Sequence, residues 1–569
     1  MSEGEEPVGK VAIGISFGNS YSSIAHTSAD GKAEVIANEE GDRQIPSVLS
    51  YVDGEEFHGT QAKAQLVRHP KNTVAYFRDF IGKDFKSIDP TPCHASAHAV
   101  EQGSTVAFQI KDTEAEEQNT VSVKEITTRH LRRLQASASD YLGKEVTAAV
   151  VTVPTNFSDE QRKVVEEAAK ATNLEVLQFI HEPTAALLAY DARETEGPLK
   201  DKIVVLAHLG GTRSDVAVVA SRGGMYTILA TTHDYDLGGA ALDQVLIDYA
   251  AKEFMKKNKT DPRQNERSLS KLKLEAEAVK KSLSIGASAS FSIESLADGV
   301  DFSLTVNRTR YELLANKVFA AFTRLIESAI QKADLDPLHI GEIILSGGTS
   351  HTPKIARNLQ SAFPEHVTVL SPSTSPSAIN PSELAARGAA IQASLIAEFD
   401  KEDIEQSTHA VVTVTPHLAK AIGIATVAEA GGEEAFKPLI EADTAVPVRR
   451  VVEISAPKDG GDVLIKICEG VSEIKVTKAE PKEKSGKDED DDEDDFSDEE
   501  DEDTREQIWK SGSILAEAAV KGVKKGGKVE VQISVGADLG VSIITREVGG
   551  KGGVRGVLDA GAVTENGKA

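Results

Sequence analysis

The sequence predicts an α/β fold built in two similar halves, followed by a β-sandwich. Three observations carry that prediction. Over residues 10–398, short β-branched runs alternate with long amphipathic helical stretches. From Ala410 the texture changes to short strand-like runs separated by glycine turns. Within the first region, VAIGISFGNSYSSIA from Val11 and IVVLAHLGGTRSDVAVV from Ile203 share one pattern: strand, glycine turn, strand. Two matching hairpins, each opening a similar half, imply a duplicated domain with a cleft between the halves.

The elements follow in order. Strand runs are Val11–Ile15, Ala148–Val153, Ile203–Leu206 and Ile343–Leu345; helical stretches include Asp159–Ala171 and Arg267–Leu283. Residues 1–398 read as one domain. Phe399–Ser407 (FDKEDIEQS) is charged and lacks a period, so 399–409 reads as a polar linker. Residues 410–560 read as the sandwich, with runs at Ala410–Val414, Val463–Cys468, Lys528–Ser534 and Val541–Thr545 and turns at Gly460–Gly461 and Gly526–Gly527. The one helical period after Ala410 is Ser513–Val520. An acidic insertion spans 481–504; from Asp488 to Asp503, 14 of 16 residues are Asp or Glu, interrupted only by Phe496 and Ser497. Such a block repels itself and is expected to be disordered, either as a solvated loop or as a docking tail for a basic partner. Ser497, followed by three acids, suits an acid-directed kinase.

Composition narrows the function. Hydrophobic residues are 40% of 569, enough for sizeable cores. A net charge of −27 argues against a sequence-blind nucleic-acid binder and against attraction to anionic lipid. No apolar run approaches the roughly 18 residues of a membrane span, and MSEGEEPVGK does not read as a signal peptide. Cys93 and Cys468 are too few for a disulfide framework or a zinc site and read as structural thiols. Trp509 reads as a core residue. His208 has no ligand partners at metal-binding spacing, so no metal residues are assigned.

Glycine turns supply the candidate site. A tight turn of Gly and small hydroxyls directs backbone N–H groups into a concavity that binds anions, phosphate above all. Gly18, Asn19 and Ser20 form the first such turn, and Gly210, Gly211 and Thr212 the second. Gly347, Gly348 and Thr349 follow a strand, with Pro353 opening a helix; Gly238 and Gly239 lead into another. Four such elements in one α/β region point to a nucleotide or phosphoryl ligand.

The motifs that complete the pattern are ISFGNSYS at 15–22, IPSVLSY at 45–51, NTVAYFRDFIGK at 72–83, AVVTVPTNF at 149–157 and HEPTAALLAY at 181–190. LGGTRSDV at 209–216, DLGGAALD at 236–243, EAEAVKKSLS at 275–284, SGGTSHTPKI at 346–355 and NPSELAARGAA at 380–390 continue it. This collinear set resembles the actin and sugar-kinase superfamily, and most closely the heat shock protein 70 family. The resemblance implies an α/β actin-like, two-lobed nucleotide-binding domain, then a β-sandwich, with ATP as ligand. It places Gly18, Asn19, Ser20, Tyr21, Gly210, Gly211, Thr212, Gly238 and Gly239 around the phosphates. It places Glu277, Lys280, Lys281 and Ser284, on one helix, with Gly347, Gly348, Thr349 and His351, around the adenosine.

Against the family pattern, Ser16 and His208 each stand where a carboxylate sits near hydrated metal. Arg78 replaces a catalytic Lys, Arg213 a Thr and Asn19 a hydroxyl; Glu182 and Asp215 remain. Hydrolysis needs metal, its ligands and an oriented water. Losing one positioned group costs about 10²- to 10⁴-fold. Backbone N–H groups and the adenosine pocket do not depend on those side chains, so ATP binding with little or no hydrolysis is expected, and no catalytic residues are assigned. Arg78 and Arg213 are expected to hold phosphate charge, and the sequence leaves open whether Mg²⁺ accompanies ATP. The family's helical lid is not found after a shortened sandwich, and its hydrophobic linker is replaced by EQSTHAVV at 405–412.

These departures resemble the atypical Ssz-type members of the family. That resemblance implies a cytoplasmic, ribosome-associated heterodimer with a J-domain protein of the zuotin type, the ribosome-associated complex. The pair stimulates a conventional heat shock protein 70 chaperone acting on nascent polypeptides. Ribosome contact runs through the partner, with no direct nucleic-acid or membrane binding. The alternatives are an ATP-hydrolysing cycling chaperone, a small-molecule phosphotransferase and a nucleotide-exchange factor.

Overall fold

The two halves of the repeat form two mixed sheets with matching strand order. In the first, Glu175–His181, Ala148–Val153, Ala12–Phe17, Tyr21–Thr27 and Ala33–Ile36 lie side by side, with short Ile45–Pro46 pairing on Tyr21–Thr27. In the second the order is Thr368–Leu370, Glu342–Ser346, Lys202–Leu209, Ser214–Arg222 and Met225–Asp234. In both, an antiparallel hairpin is extended by two strands parallel to its first strand. The computed structural model describes residues 10–563 apart from 115–116, 193–200, 377, 409–415, 428–433, 458, 478–503, 551–552 and 560.

The central strands are mostly apolar because helices cover both faces; all six residues of Ala148–Val153 are buried. Capping residues start the helices. Ser158 and Gln161 form a capping box at Asp159–Lys170, and Asn265 caps Glu266–Ile285. Helix Leu384–Ile396 crosses helix Glu182–Asp191 and strand Ala12–Phe17 at very short range. A Cβ on Gly388 would lie 1.7 Å from the Ala185 carbonyl oxygen, and one on Gly14 would lie 2.2 Å from the Ala390 nitrogen. These two glycines set how closely the helices approach the strand that carries the first turn.

The C-terminal region is a sandwich of two four-stranded antiparallel sheets, Glu434–Ile440, Ala421–Val427, Gly461–Thr477, Thr504–Val523 and Val448–Ser455, Lys528–Val535, Val541–Glu547, Gly553–Leu558. Ile422, Ile465, Ile467, Val531, Ile533 and Ile543 fill the space between them. It sits on the second lobe through Arg222–Glu441 (2.9 Å), Arg450–Asp201 (3.3 Å) and Arg505–Asp336 (2.5 Å).

Four expectations are corrected. Ser513–Val520 is strand, within Thr504–Val523; pairing with Gly461–Thr477 along its length overrides the helical preference of its alanines. The stretch read as linker holds the helix Lys401–Thr408, with Glu402 and Asp403 in its first turn, where the helix dipole favours acids. Its Ile404 is buried against Leu177, Ile180, Ala389 and Ala393. Thr504, placed in the acidic insertion, pairs with Thr477 as the first residue of its strand. Trp509 is half-buried at the edge of a small cluster, its ring 5.9 Å from that of Phe436, and not in the main sandwich core. Residues 481–503, including Ser497, and the run Ala410–Val414 lie outside the described residues. Cys93 and Cys468 are both buried, and neither is in a disulfide among the described residues.

Candidate functional site

A cleft of about 640 Å³ opens between the two sheets, and every site residue named from the sequence lines it except Gly238. The two hairpin turns face each other across its floor. Asn19 Nδ2 donates to Thr212 Oγ1 at 3.1 Å, joining them directly. The second turn is fixed by the Gly210 N–H to the Arg213 carbonyl (2.9 Å), and by Thr349 Oγ1 to the Gly210 carbonyl (2.8 Å). Gly238 sits behind this turn. A Cβ there would lie 2.7 Å from the Gly211 carbonyl oxygen, so its role is to let the helix Gly239–Asn258 start close to the turn.

Glycine is required on the cleft side too. A Cβ on Gly211 would meet Ser20 Oγ at 2.3 Å, and one on Gly239 would meet Thr349 Oγ1 at 2.8 Å and Lys280 Nζ at 3.0 Å. Gly347 adopts φ +83°, which a side chain would strain. The result is a backbone-lined cradle that a phosphate chain fits.

The floor carries the charges. Arg78 donates to Asp79 Oδ1 from Nε (2.9 Å) and Nη2 (2.7 Å), and from Nη1 to Glu182 Oε1 (3.4 Å) and the Phe17 carbonyl (3.3 Å). Arg213 grips Asp215 with two hydrogen bonds, one from Nε at 2.8 Å, and reaches Asn156 Oδ1 at 2.9 Å. Its guanidinium lies 4.5 Å from the Tyr235 ring centre. Burial raises the Asp79 carboxyl, but Arg78 and Arg213 outweigh it and hold the group below its ordinary value. Burial pushes the Asp215 carboxyl up, against the pull of Arg213. His208 sits on the floor with Nδ1 3.2 Å from Ser346 Oγ and Nε2 3.8 Å from Glu182 Oε2. Ser16 also lines the floor. Glu182 is the first residue of its helix, and both it and Asp215 are almost fully buried.

The roof is an ion cluster that joins the lobes. Lys63 Nζ lies 2.6 Å from Glu277 Oε2 and 2.6 Å from the Tyr21 hydroxyl; Lys281 Nζ lies 2.8 Å from Glu277 Oε1. Beside it Lys280 donates to Asp243 (2.7 Å) and to the Gly239 carbonyl (2.9 Å). The second oxygen of half-buried Asp243, Oδ1, is shielded from solvent and has no hydrogen-bond partner among the described residues. Ser284 and His351 lie further along the wall, the latter 3.1 Å from Ser382 Oγ.

The residues present fit a nucleoside polyphosphate: a glycine cradle at one end, and Lys, Glu, Asp and Ser groups at the other. Of the two floor carboxylates kept from the family pattern, Asp215 is gripped by Arg213, and Glu182 meets Arg78 through Oε1 alone. Among the described residues, no group of three His, Cys, Asp or Glu side chains is placed to hold a metal ion.

The family model for Hsp70 protein matches residues 12–482. The chain belongs to the Hsp70 protein family. Among curated proteins, this Hsp70 chain is 45% identical over 96% of its length to the ribosome-associated complex subunit SSZ1 of Saccharomyces cerevisiae, covering 99% of that protein. It is 43% identical over 97% of its length to a heat shock protein 70 homolog of Schizosaccharomyces pombe, covering 96% of it. It is 32% identical over 83% of its length to heat shock 70 kDa protein 14 of Danio rerio, covering 92% of it. The Hsp70 resemblance read from the motifs is thus a family membership, and the family binds nucleotide.

Sequence reasoning missed Lys63, Asp79, Asn156, Tyr235 and Asp243 as participants. Lys63 lies in GTQAKA with no distinguishing neighbours, and only folding brings it to Glu277. Asp79 had a signal, since an acid beside an arginine in a glycine-bearing motif is a candidate pair. Among the described residues, no helix is long and apolar enough to cross a membrane.

Proposed function

We propose that this protein is an ATP-binding Hsp70-family subunit that holds ATP with little or no hydrolysis. On this reading it pairs with a J-domain protein of the zuotin type in a ribosome-associated complex, in the cytoplasm. One observation carries the first half: both carboxylates left on the floor are tied to arginines, Glu182 to Arg78 and Asp215 to Arg213. On this reading the arginines weaken what Glu182 and Asp215 can offer a metal or an attacking water, and Ser16 and His208 add no carboxylate. Arg78 and Arg213 offset the acids Asp79, Glu182 and Asp215 beside the phosphates, where a metal would otherwise do so. ATP supplies a polyanion spanning both lobes. The cradle of Gly210, Gly211 and Thr212 with Asn19 and Ser20 binds its phosphates, and Glu277, Lys280, Ser284 and Gly347–Thr349 line the adenosine end. ATP is then a structural ligand that fixes the lobes and the surface they present.

The assembly half is supported by similarity over nearly the full length to a protein named as a ribosome-associated complex subunit. The net charge of −27 favours ribosome contact through the partner, with a conventional Hsp70 as the chaperone that the pair stimulates and nascent chains as its clients. A single-turnover assay with radiolabelled ATP tests the first half. Nucleotide retained uncleaved supports it; conversion to ADP at rates normal for the family replaces it with a cycling chaperone. Co-purification of a J-domain protein, and ribosome sedimentation that depends on that partner, test the second.

A further inference from the structure

We propose that His58 and His130 are positioning residues for the phosphate-facing turn of the first hairpin, acting through a one-way chain of four hydrogen bonds that ends on the Gly18 carbonyl. The inference rests on the nucleotide reading of the cleft and extends it to residues that do not line the cleft.

The chain is continuous. His58 Nε2 lies 2.8 Å from His130 Nδ1, and His130 Nε2 lies 2.9 Å from Ser22 Oγ. Ser22 Oγ lies 2.9 Å from Ser47 Oγ, which lies 2.7 Å from the Gly18 carbonyl oxygen. His130 and Ser22 are fully buried and Ser47 nearly so.

Its direction follows from the donors available. A carbonyl only accepts, so Ser47 spends its one proton on Gly18. Ser47 must therefore accept from Ser22, and Ser22, its proton spent, must accept from His130 Nε2–H. Burial and the neighbouring His58 hold His130 neutral, so its Nδ1 is unprotonated and accepts from His58 Nε2–H. Every link is fixed by the one after it. Removing His130 leaves Ser22 buried without its donor, and the chain loses its direction.

The same ring also supports the turn by contact. His130 packs 5.6 Å from Phe17 and 5.6 Å from Phe77, which directly precede Gly18 and Arg78. The Gly18 carbonyl and the Asn19 N–H belong to one planar trans peptide, so fixing the carbonyl fixes the N–H on its opposite side. Ser47 N–H adds a bond to the Ser20 carbonyl (3.0 Å). The turn that faces phosphate is thus held from behind by a chain starting at His58, the residue before helix Gly59–Ala64, and passing through helix Val123–Leu142.

The test compares ATP with adenosine binding, by calorimetry on the full-length protein, for wild type, His130→Val and His130→Gln. A glutamine amide can both donate to Ser22 and accept from His58. His130→Val is expected to weaken ATP about five- to tenfold and adenosine less than about twofold, while His130→Gln keeps ATP within about twofold. If His130→Val fails to fold, Ser22→Ala breaks the same chain at a fully buried residue outside the cleft lining and carries the same comparison. Equal losses for both ligands, or unchanged ATP affinity in a folded variant, overturn the proposal. Nitrogen-15 NMR of the histidine rings gives an independent readout: His130 must carry its proton on Nε2, and an Nδ1–H tautomer overturns the chain whatever the affinities. A wild type that binds neither ligand sinks the nucleotide reading, and the positioning role with it, even where the tautomer is as stated.

Discussion

The Tyr21 hydroxyl, beside the first turn, donates a hydrogen bond to the Glu277 carboxylate on the opposite lobe. Lys63 and Lys281 flank the pair, 4.8 Å and 4.7 Å from the Tyr21 ring centre, so the phenol ring lies against two ammonium groups. Burial disfavours the Glu277 charge, but Lys63, Lys281 and Lys280 outweigh it and hold the carboxyl far below its ordinary range. The cluster closes the cleft from above, across the interface where the lobes would part. Glu277→Gln should speed nucleotide release about tenfold, read by stopped-flow displacement of a fluorescent ATP analogue. The sign with pH follows from the depressed carboxyl. Its contribution to stability is present above the unfolded value of about 4.3 and is lost as pH falls below that toward the lower folded value.

If the protein holds ATP without hydrolysis, as proposed, placing acids at Ser16 and His208 alone should not confer hydrolysis. With Arg78 and Arg213 in place, new carboxylates at Ser16→Asp and His208→Asp join a floor where arginines already pair with Glu182, Asp79 and Asp215. Adding Arg78→Lys and Arg213→Thr should raise single-turnover cleavage at least about 100-fold over the double variant. Cleavage already restored in the double variant would show that the arginines are not what silences the site.

Ile404 is the anchor of the helix that connects the lobes to the sandwich. It is 5% exposed, packed against Leu177 and Ile180, while its described helix neighbours Glu402, Asp403 and Gln406 are exposed. Ile404→Asp should cost about 1.5–3 kcal/mol of local packing and sharply accelerate protease cleavage near residues 401–408. An unchanged cleavage pattern would mean that the helix is held by something other than this side chain.

His58 gives a pH signature of stability. Burial, and to a lesser degree Arg133, push its ring down to about 4. The unfolded ring titrates near 6.5, so the unfolded state binds more protons between those values. Stability is therefore full above about 6.5 and falls as pH drops toward 4, by about 2 kcal/mol at pH 5 from this ring. His130, also pushed down by burial, adds a loss of the same sign. Urea midpoints at pH 7 and pH 5 should draw together in His58→Gln relative to wild type.

The alternation of runs and the four glycine turns made the two-lobed fold and most of the cleft legible, because strands buried on both faces and tight turns each leave a compositional mark. What stayed hidden depends on partners distant in sequence. Ser513–Val520 is rich in alanine and reads as helix until its pairing with Gly461–Thr477 is seen. The helix Lys401–Thr408 is too short to show a period, and it docks through a single apolar side chain. Lys63 and the His58–His130 pair have ordinary neighbours, and only the packing of helices Gly59–Ala64 and Val123–Leu142 against the first hairpin gives them a role.

The matching strand order of the lobes has a consequence for the history of the site. Ser16 and His208 occupy equivalent places in the two matching sheets, each two residues before the first glycine of its turn. On the proposed reading, each lobe departs from the family pattern at its own copy of one position. A single reversion would break that symmetry, adding one carboxylate to a floor where arginines already hold the existing ones. On the proposed reading, a hydrolysing site needs coordinated change in both copies and in the arginines that serve them. No single substitution is then expected to improve the chemistry, so the arrangement is held as by a ratchet.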